Sequence, residues 1–470
     1  MHVACARRSL LALALVACAC ASGTEGPTDG PADGEVVADD GPFVDDGLDE
    51  AGTESDGESP STLAGTLTVA ALDAPLTPVG SARQPEVAFH GAADAFVAAY
   101  SWVLPDIPTP RFRVEVRAVT VDAAGTPRAS DPLMVDGDFV PHDALDVAVA
   151  APSGGDAGPA FVVWNDDRAS PGTAGFLEIY GGLVAVTGGS TPAVAALGAP
   201  FVVSDVPGTN ESVPAAGWDR TAGVFLAAWG DDRERGVRHE DARVVYARTV
   251  APSGTLGPEL RLGDDGLFQT SPQIAACDTG RFLVAWTDYV VEGPTLTSRY
   301  RGRLLDGRSG ALSDIVTWGE APGLAQEPFG VACNRRTGGW AAAWTVPGSP
   351  SFKQVATAVL AADGTVTAGP TVVTAQADGA RSPRLAWLRA TNSYVLSPLA
   401  QDSTFGYVLE LDPEGAAASA PRALTPTAPG LGTHWSAVAS HSSRPLALVV
   451  MTLDYQRVHA TTLLGSAVLP

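Results

Sequence analysis

Two short stretches hold the acids and bases best placed to do chemistry, Trp164-Asn165-Asp166-Asp167-Arg168 and Trp229-Gly230-Asp231-Asp232-Arg233. A reduced copy follows as Trp286-Thr287-Asp288. Clustered carboxylate oxygens suit a hard cation such as calcium, or another polar ligand. The same spacing suits a plainer role. An Asp at the end of a strand accepts hydrogen bonds from the backbone of the turn that follows, and an Arg close by can neutralise it. Two adjacent acids give fewer oxygens than a calcium loop demands. Asp166, Asp167, Arg168, Asp231, Asp232, Arg233 and Asp288 are therefore expected to be structural turn residues, with a ligand site as the alternative. Carboxylate pairs about 5 to 9 Å apart could also hydrolyse a glycoside. In a chain with 53 acids, some pair meets that distance by chance.

Other chemistries find little support. His90, His142, His239, His434, His441 and His459 are scattered, and none forms an i, i+4 metal pair. There is no G-x-S-x-G elbow, P-loop or dinucleotide fingerprint. No catalytic set, metal or cofactor is expected. Cys277 and Cys333 fall in equivalent slots of neighbouring repeats, in Ile-Ala-Ala-Cys and Gly-Val-Ala-Cys. They are either a bridge between adjacent units or two small buried thiols, because a disulfide needs Cα atoms within about 7 Å and spacing alone does not supply that.

The formal charge is −24, and about half of it comes from residues 22–62, which hold acids and no Lys or Arg. Phosphate would be repelled, which sets nucleic acid aside. Ahead of this stretch lie Arg7 and Arg8, then a short apolar run from Ser9 to Ala17, too short for a membrane span of about 20 residues. Leu15-Val16-Ala17-Cys18 closes the run. This segment resembles the lipobox of bacterial lipoproteins. The resemblance implies a signal peptide over 1–17, a lipid on Cys18 that would anchor the chain to a membrane, and residence in the bacterial cell envelope. Ala19, where Asp would favour retention, implies outer-membrane sorting, with the protein periplasmic or surface-exposed. Residues 18–63 are rich in Gly, Pro, Asp, Glu, Ser and Thr and bury too little to order themselves. They are expected to be a disordered, acidic tether.

From residue 64 to 470 the pattern is that of strands, runs of Val, Leu, Ile, Phe and Trp punctuated by Gly, Pro, Asn and Asp. One cycle recurs seven times, with a period of roughly 53 to 65 residues. Its clearest segment is a dense apolar run, as in Phe225 to Trp229 and Phe282 to Trp286. Apolarity at nearly every position implies burial on both faces. The strand before it often opens with a polar residue and Pro, as in Gln84-Pro85 and Ser271-Pro272, which places Pro at the first residue of a strand. A later turn carries Gly125, Gly189, Gly254, Gly310, Gly364, Gly415 or Gly465. Each unit is too small to bury its own faces. The expectation is all-β: a single seven-bladed antiparallel β-propeller, with six or eight blades as alternatives. Leu67 to Ala71, left over at the front, would complete the last blade and hide its edge.

The motif at the dense run, continuing to Glu178-Ile179-Tyr180-Gly181 in one unit, is similar to the W-x-D-x-R … D-I-Y-G repeats of bacterial propeller-like surface proteins, loosely related to TolB-type propellers. That resemblance implies architecture and leaves activity open. The Asp-box S-x-D-x-G-x-T-W of sialidase-like propellers is absent. Trp102, Trp318 and Trp435 lie outside the dense runs, where they either stack on a sugar or peptide or pack between blades. The function expected is non-catalytic binding or scaffolding at the envelope, with an unknown protein or glycan as partner. The alternative is a polysaccharide-binding module or degenerate glycoside hydrolase.

Overall fold

A computed structural model describes residues 68–76, 81–103, 112–137, 144–168, 177–206, 209–235, 242–264, 268–292, 295–322, 328–348, 352–375, 379–400, 406–424, 433–453 and 457–464. The leader, Cys18 and the acidic tether lie outside them. The described chain is all-β, folded into seven small antiparallel sheets. In blade 3 the order is Glu211–Asp219, Val224–Asp231, Val244–Val250 and Leu256–Arg261, each strand bonded to the next. The other blades repeat this meander. Every inner strand touches the next blade's inner strand, and the inner strand of blade 7, Thr433–Ser440, touches that of blade 1, Ser81–His90. The ring is therefore closed, and the fold is a seven-bladed β-propeller.

The closing strand is the one expected from the front of the domain. Thr68–Pro75 pairs antiparallel with Arg457–Leu464, the third strand of blade 7. The last blade is thus built from both ends of the domain.

The apolar residues explain why the sheets need one another. They form seven buried clusters, and each cluster spans two adjacent blades. The dense second strands supply both sides. In blade 3, Phe225, Ala227 and Trp229 pack towards blade 2, while Leu226 and Ala228 pack towards blade 4. Side chains alternate along a strand, so an uninterrupted apolar run serves two joints at once. Outer strands face solvent, as in Val366–Val372 of blade 5. Close approach between blades also selects glycine. A Cβ added at Gly319 would lie 2.4 Å from the ring of Trp344.

The joint between blades 4 and 5 is also covalent. Cys277 and Cys333 are disulfide-bonded, with Cα atoms 5.3 Å apart.

One expectation about local structure needs correction. Pro328 lies just ahead of Gly330–Asn334, but Pro85, Pro272 and Pro383 do not start their strands, and neither does Pro214. Each lies inside an inner strand at a β-bulge, between Arg83 and Glu86, Ser212 and Ala215, Thr270 and Gln273, and Arg381 and Arg384. The preceding residues, Gln84, Val213, Ser271 and Ser382, have φ values of 45°, 49°, 52° and 50°. A bulge leaves one residue outside the ladder, which removes the conflict between proline and strand pairing. Of the two roles open to Trp102 and Trp318, packing is the one observed: both are buried in the joints between blades. Trp435 is partly buried.

Candidate functional site

The W-x-D-x-R stretches sit where the second strand ends, on their own blades. In blade 2, Asp166 Oδ2 accepts from the Trp164 indole at 2.9 Å, and Oδ1 accepts from the Arg168 backbone N–H at 2.8 Å. The Arg168 guanidinium bonds the same carboxylate and lies 4.4 Å from the Tyr180 ring. The Tyr of the Glu-Ile-Tyr-Gly segment is thus the platform on which the arginine stacks. Asp167 stands beside this unit, partly exposed.

Blade 3 repeats the device. Asp231 accepts from Arg233 N at 2.7 Å and from Arg233 Nε at 2.8 Å, and the guanidinium covers Tyr246 at 4.1 Å. Arg233 also bonds Glu259, while Asp232 accepts from the backbone of Asn210 at 2.7 Å. Glu211 lies fully buried beside Asp231 and accepts from Ile179 N of blade 2 at 2.8 Å. Burial, with the nearby Asp231 charge adding to it, pushes the Glu211 carboxyl up to about 9. In blade 4 the arginine comes from the neighbouring strand instead, with Arg301 Nη1 bonding Asp288 Oδ2 at 2.7 Å and Arg301 Nη2 bonding Asp264 at 2.8 Å. Burial raises the Asp288 carboxyl despite that partner. The motif residues are held by intramolecular bonds. Among the described residues, no three His, Cys, Asp or Glu side chains gather as a metal-binding group.

The propeller axis offers a different site. A cavity of about 150 Å³ is lined by residues of all seven inner strands. Arg384 of blade 6 reaches across it. Its Nη2 bonds Glu86 Oε1 of blade 1 at 3.1 Å, its Nη1 bonds Gln273 Oε1 of blade 4 at 3.0 Å, and its Nε bonds the Ser436 carbonyl of blade 7 at 3.1 Å. Among the described residues, Glu86 is the one carboxylate in the lining. Burial raises its pKa, and the Arg384 charge opposes the rise. Near this end of the axis, Asp146 of blade 2 accepts from Asn165 Nδ2 at 3.0 Å and from Val213 N at 3.2 Å. Its carboxyl is raised by burial, against hydrogen bonds from Gln84, Val213 and Asn165.

The axial residues were not singled out by sequence, although a signal existed. Glu86, Gln273 and Arg384 each follow the bulge proline directly, in Gln84-Pro85-Glu86, Ser271-Pro272-Gln273 and Ser382-Pro383-Arg384. A long polar side chain at that slot is the mark of a residue aimed at the axis.

No protein-family model matches this chain, and no curated protein matches it. Solved structures are similar to it at low identity. The parainfluenza virus 5 hemagglutinin-neuraminidase aligns over 85% of this chain and 95% of its own, with a TM-score of 0.47 at 10% identity. The Penicillium chrysogenum alpha-L-arabinanase aligns over 84% of this chain and 98% of its own, with a TM-score of 0.45 at 11% identity. The Trypanosoma rangeli sialidase gives a TM-score of 0.44 at 9% identity, over 85% of this chain, which spans 59% of that enzyme's length. No residue role transfers at such distances.

Proposed function

We propose that this chain is a non-catalytic binding or scaffolding propeller of the bacterial envelope, held by a lipid on Cys18 at the end of the acidic tether 18–63. The observation that carries the non-catalytic part is the axis: among the described residues Glu86 is the one carboxylate of that wall, and Arg384 bonds it. Two cooperating carboxylates are the usual requirement for glycoside hydrolysis. The W-x-D-x-R acids support the same reading, being engaged by their own arginines and turn backbones. A second reading, a polysaccharide-binding module or degenerate glycoside hydrolase, rests on Glu86, a carboxyl on the axis whose burial raises its pKa, the direction a general acid needs.

One experiment separates the readings. The Cys18→Ser protein, expected to leave the membrane fraction, is applied to a glycan array and assayed for release of sugars. Binding without turnover supports the proposal. Hydrolysis that disappears in Glu86→Gln replaces it with the enzymatic reading, and retention of Cys18→Ser in membranes removes the anchor.

A further inference from the structure

At the opposite end of the axis, around the turns joining each inner strand to the second strand, the channel opens into a funnel of about 210 Å³. Apolar residues from all seven inner strands line it. Serines and His441 contribute polar groups, the arginines Arg335 and Arg389 contribute charge, and among the described residues no carboxylate contributes to the wall. Arg335 is engaged by Asp278 at 3.2 Å. Arg389 is exposed and has no side-chain partner among the described residues. Deeper in, Trp218 and Trp387 are more than nine-tenths buried on the wall, and their indole N–H groups have no acceptor. Ser153 Oγ is also without a partner. His441, at the rim, is bonded to Asp94.

A guanidinium at an apolar mouth matches a carboxylate in both charge and planar geometry, and the apolar wall behind it matches an apolar body. The volume exceeds that of a cavity of about 150 Å³ that accepts benzene. We propose that this funnel binds a small monocarboxylate with an aromatic or branched aliphatic body, its carboxylate on Arg389 and its body among the inner strands. This names a ligand class for the binding reading above. The funnel shares Val149, Ala216, Ile274, Val331 and Leu385 with the Glu86 cavity, but Arg389 is not among the groups that line that cavity, so the test on Arg389 reads this end alone.

The test is a titration of the full chain with benzoate, followed by tryptophan fluorescence and by calorimetry, since two indoles line the wall. Saturable binding is expected. Benzyl alcohol, which lacks the charge, and acetate, which lacks the body, should each bind at least about tenfold more weakly. Arg389→Ala should weaken benzoate at least about tenfold, and Arg389→Lys should recover part of the loss. Arg389 is exposed, so neither substitution threatens folding. Absence of saturable benzoate binding overturns the proposal. Equal affinity for benzyl alcohol, or unchanged affinity in Arg389→Ala, overturns it as well. A protein that hydrolyses glycans but still binds benzoate would refute the non-catalytic reading while keeping this site.

Discussion

At the scale of single residues, the acids of this propeller divide by what they touch. Asp166 and Asp231 accept several hydrogen bonds and an arginine each. Glu211 is surrounded differently. It lies fully buried beside Asp231, with the Arg233 guanidinium only at 3.7 Å. Its raised pKa has a consequence for stability. Between the ordinary carboxylate range and about 9 the folded chain holds a proton that the unfolded chain has released. The contribution of this group is complete below about pH 4.5 and drains away as pH rises towards 9. Glu211→Gln keeps the shape and an acceptor for Ile179 N while removing the titration. Melting curves from pH 5 to 9 should show the parent losing stability relative to the variant as pH rises. Parallel curves would mean that Glu211 is not the group responsible. The motif residues around it were legible because Trp, Asp and Arg recur at fixed spacing. Glu211 and the axial trio were not, since a lone Glu or Arg in a strand has the same composition whether it faces solvent, a partner or a channel.

At the scale of strands, periodicity revealed the dense second strands, and glycine revealed the turns. Gly125, Gly189, Gly254, Gly310, Gly364 and Gly415 all adopt positive φ, where a Cβ would be strained. The inner strands were read less well. Proline was assigned to their first residue because it lacks a ladder donor, but a bulge also relieves that conflict, and propensity does not distinguish the two. The bulge brings its own cost. Val213, β-branched and followed by Pro214, is held at a φ of 49°, a conformation that costs of order 1–3 kcal/mol for a residue other than glycine. Val213→Gly keeps the backbone N–H that bonds Asp146 and removes the strain, although the added freedom of the unfolded chain offsets part of the gain. A net stabilisation of about 1 kcal/mol is expected from urea unfolding. A loss of stability would show that packing of the valine side chain outweighs the backbone strain.

At the scale of the whole molecule, stability belongs to the joints rather than to the blades. Each of the seven apolar clusters lies between two sheets, so removing one contact in the ring affects both neighbours. Six of the joints are made by blades that follow one another in sequence. The seventh unites blade 7 with blade 1, and the outermost strand of blade 7 is drawn from the other end of the domain. In a repeat array that stays open, terminal units lose the partner that covers one face. Here Thr68–Pro75 covers the edge of Arg457–Leu464 and ties the ring shut through residues far apart in sequence. A chain beginning at residue 67 keeps this strand, and one beginning at residue 77 lacks it. The shorter chain should melt at least about 5 °C lower, and its uncovered edge should promote association that grows with protein concentration. Calorimetry and light scattering on the two chains measure both effects. Equal melting points would mean that the inner-strand contacts between blades 7 and 1 suffice to close the ring, and that the shared outer strand contributes shape alone.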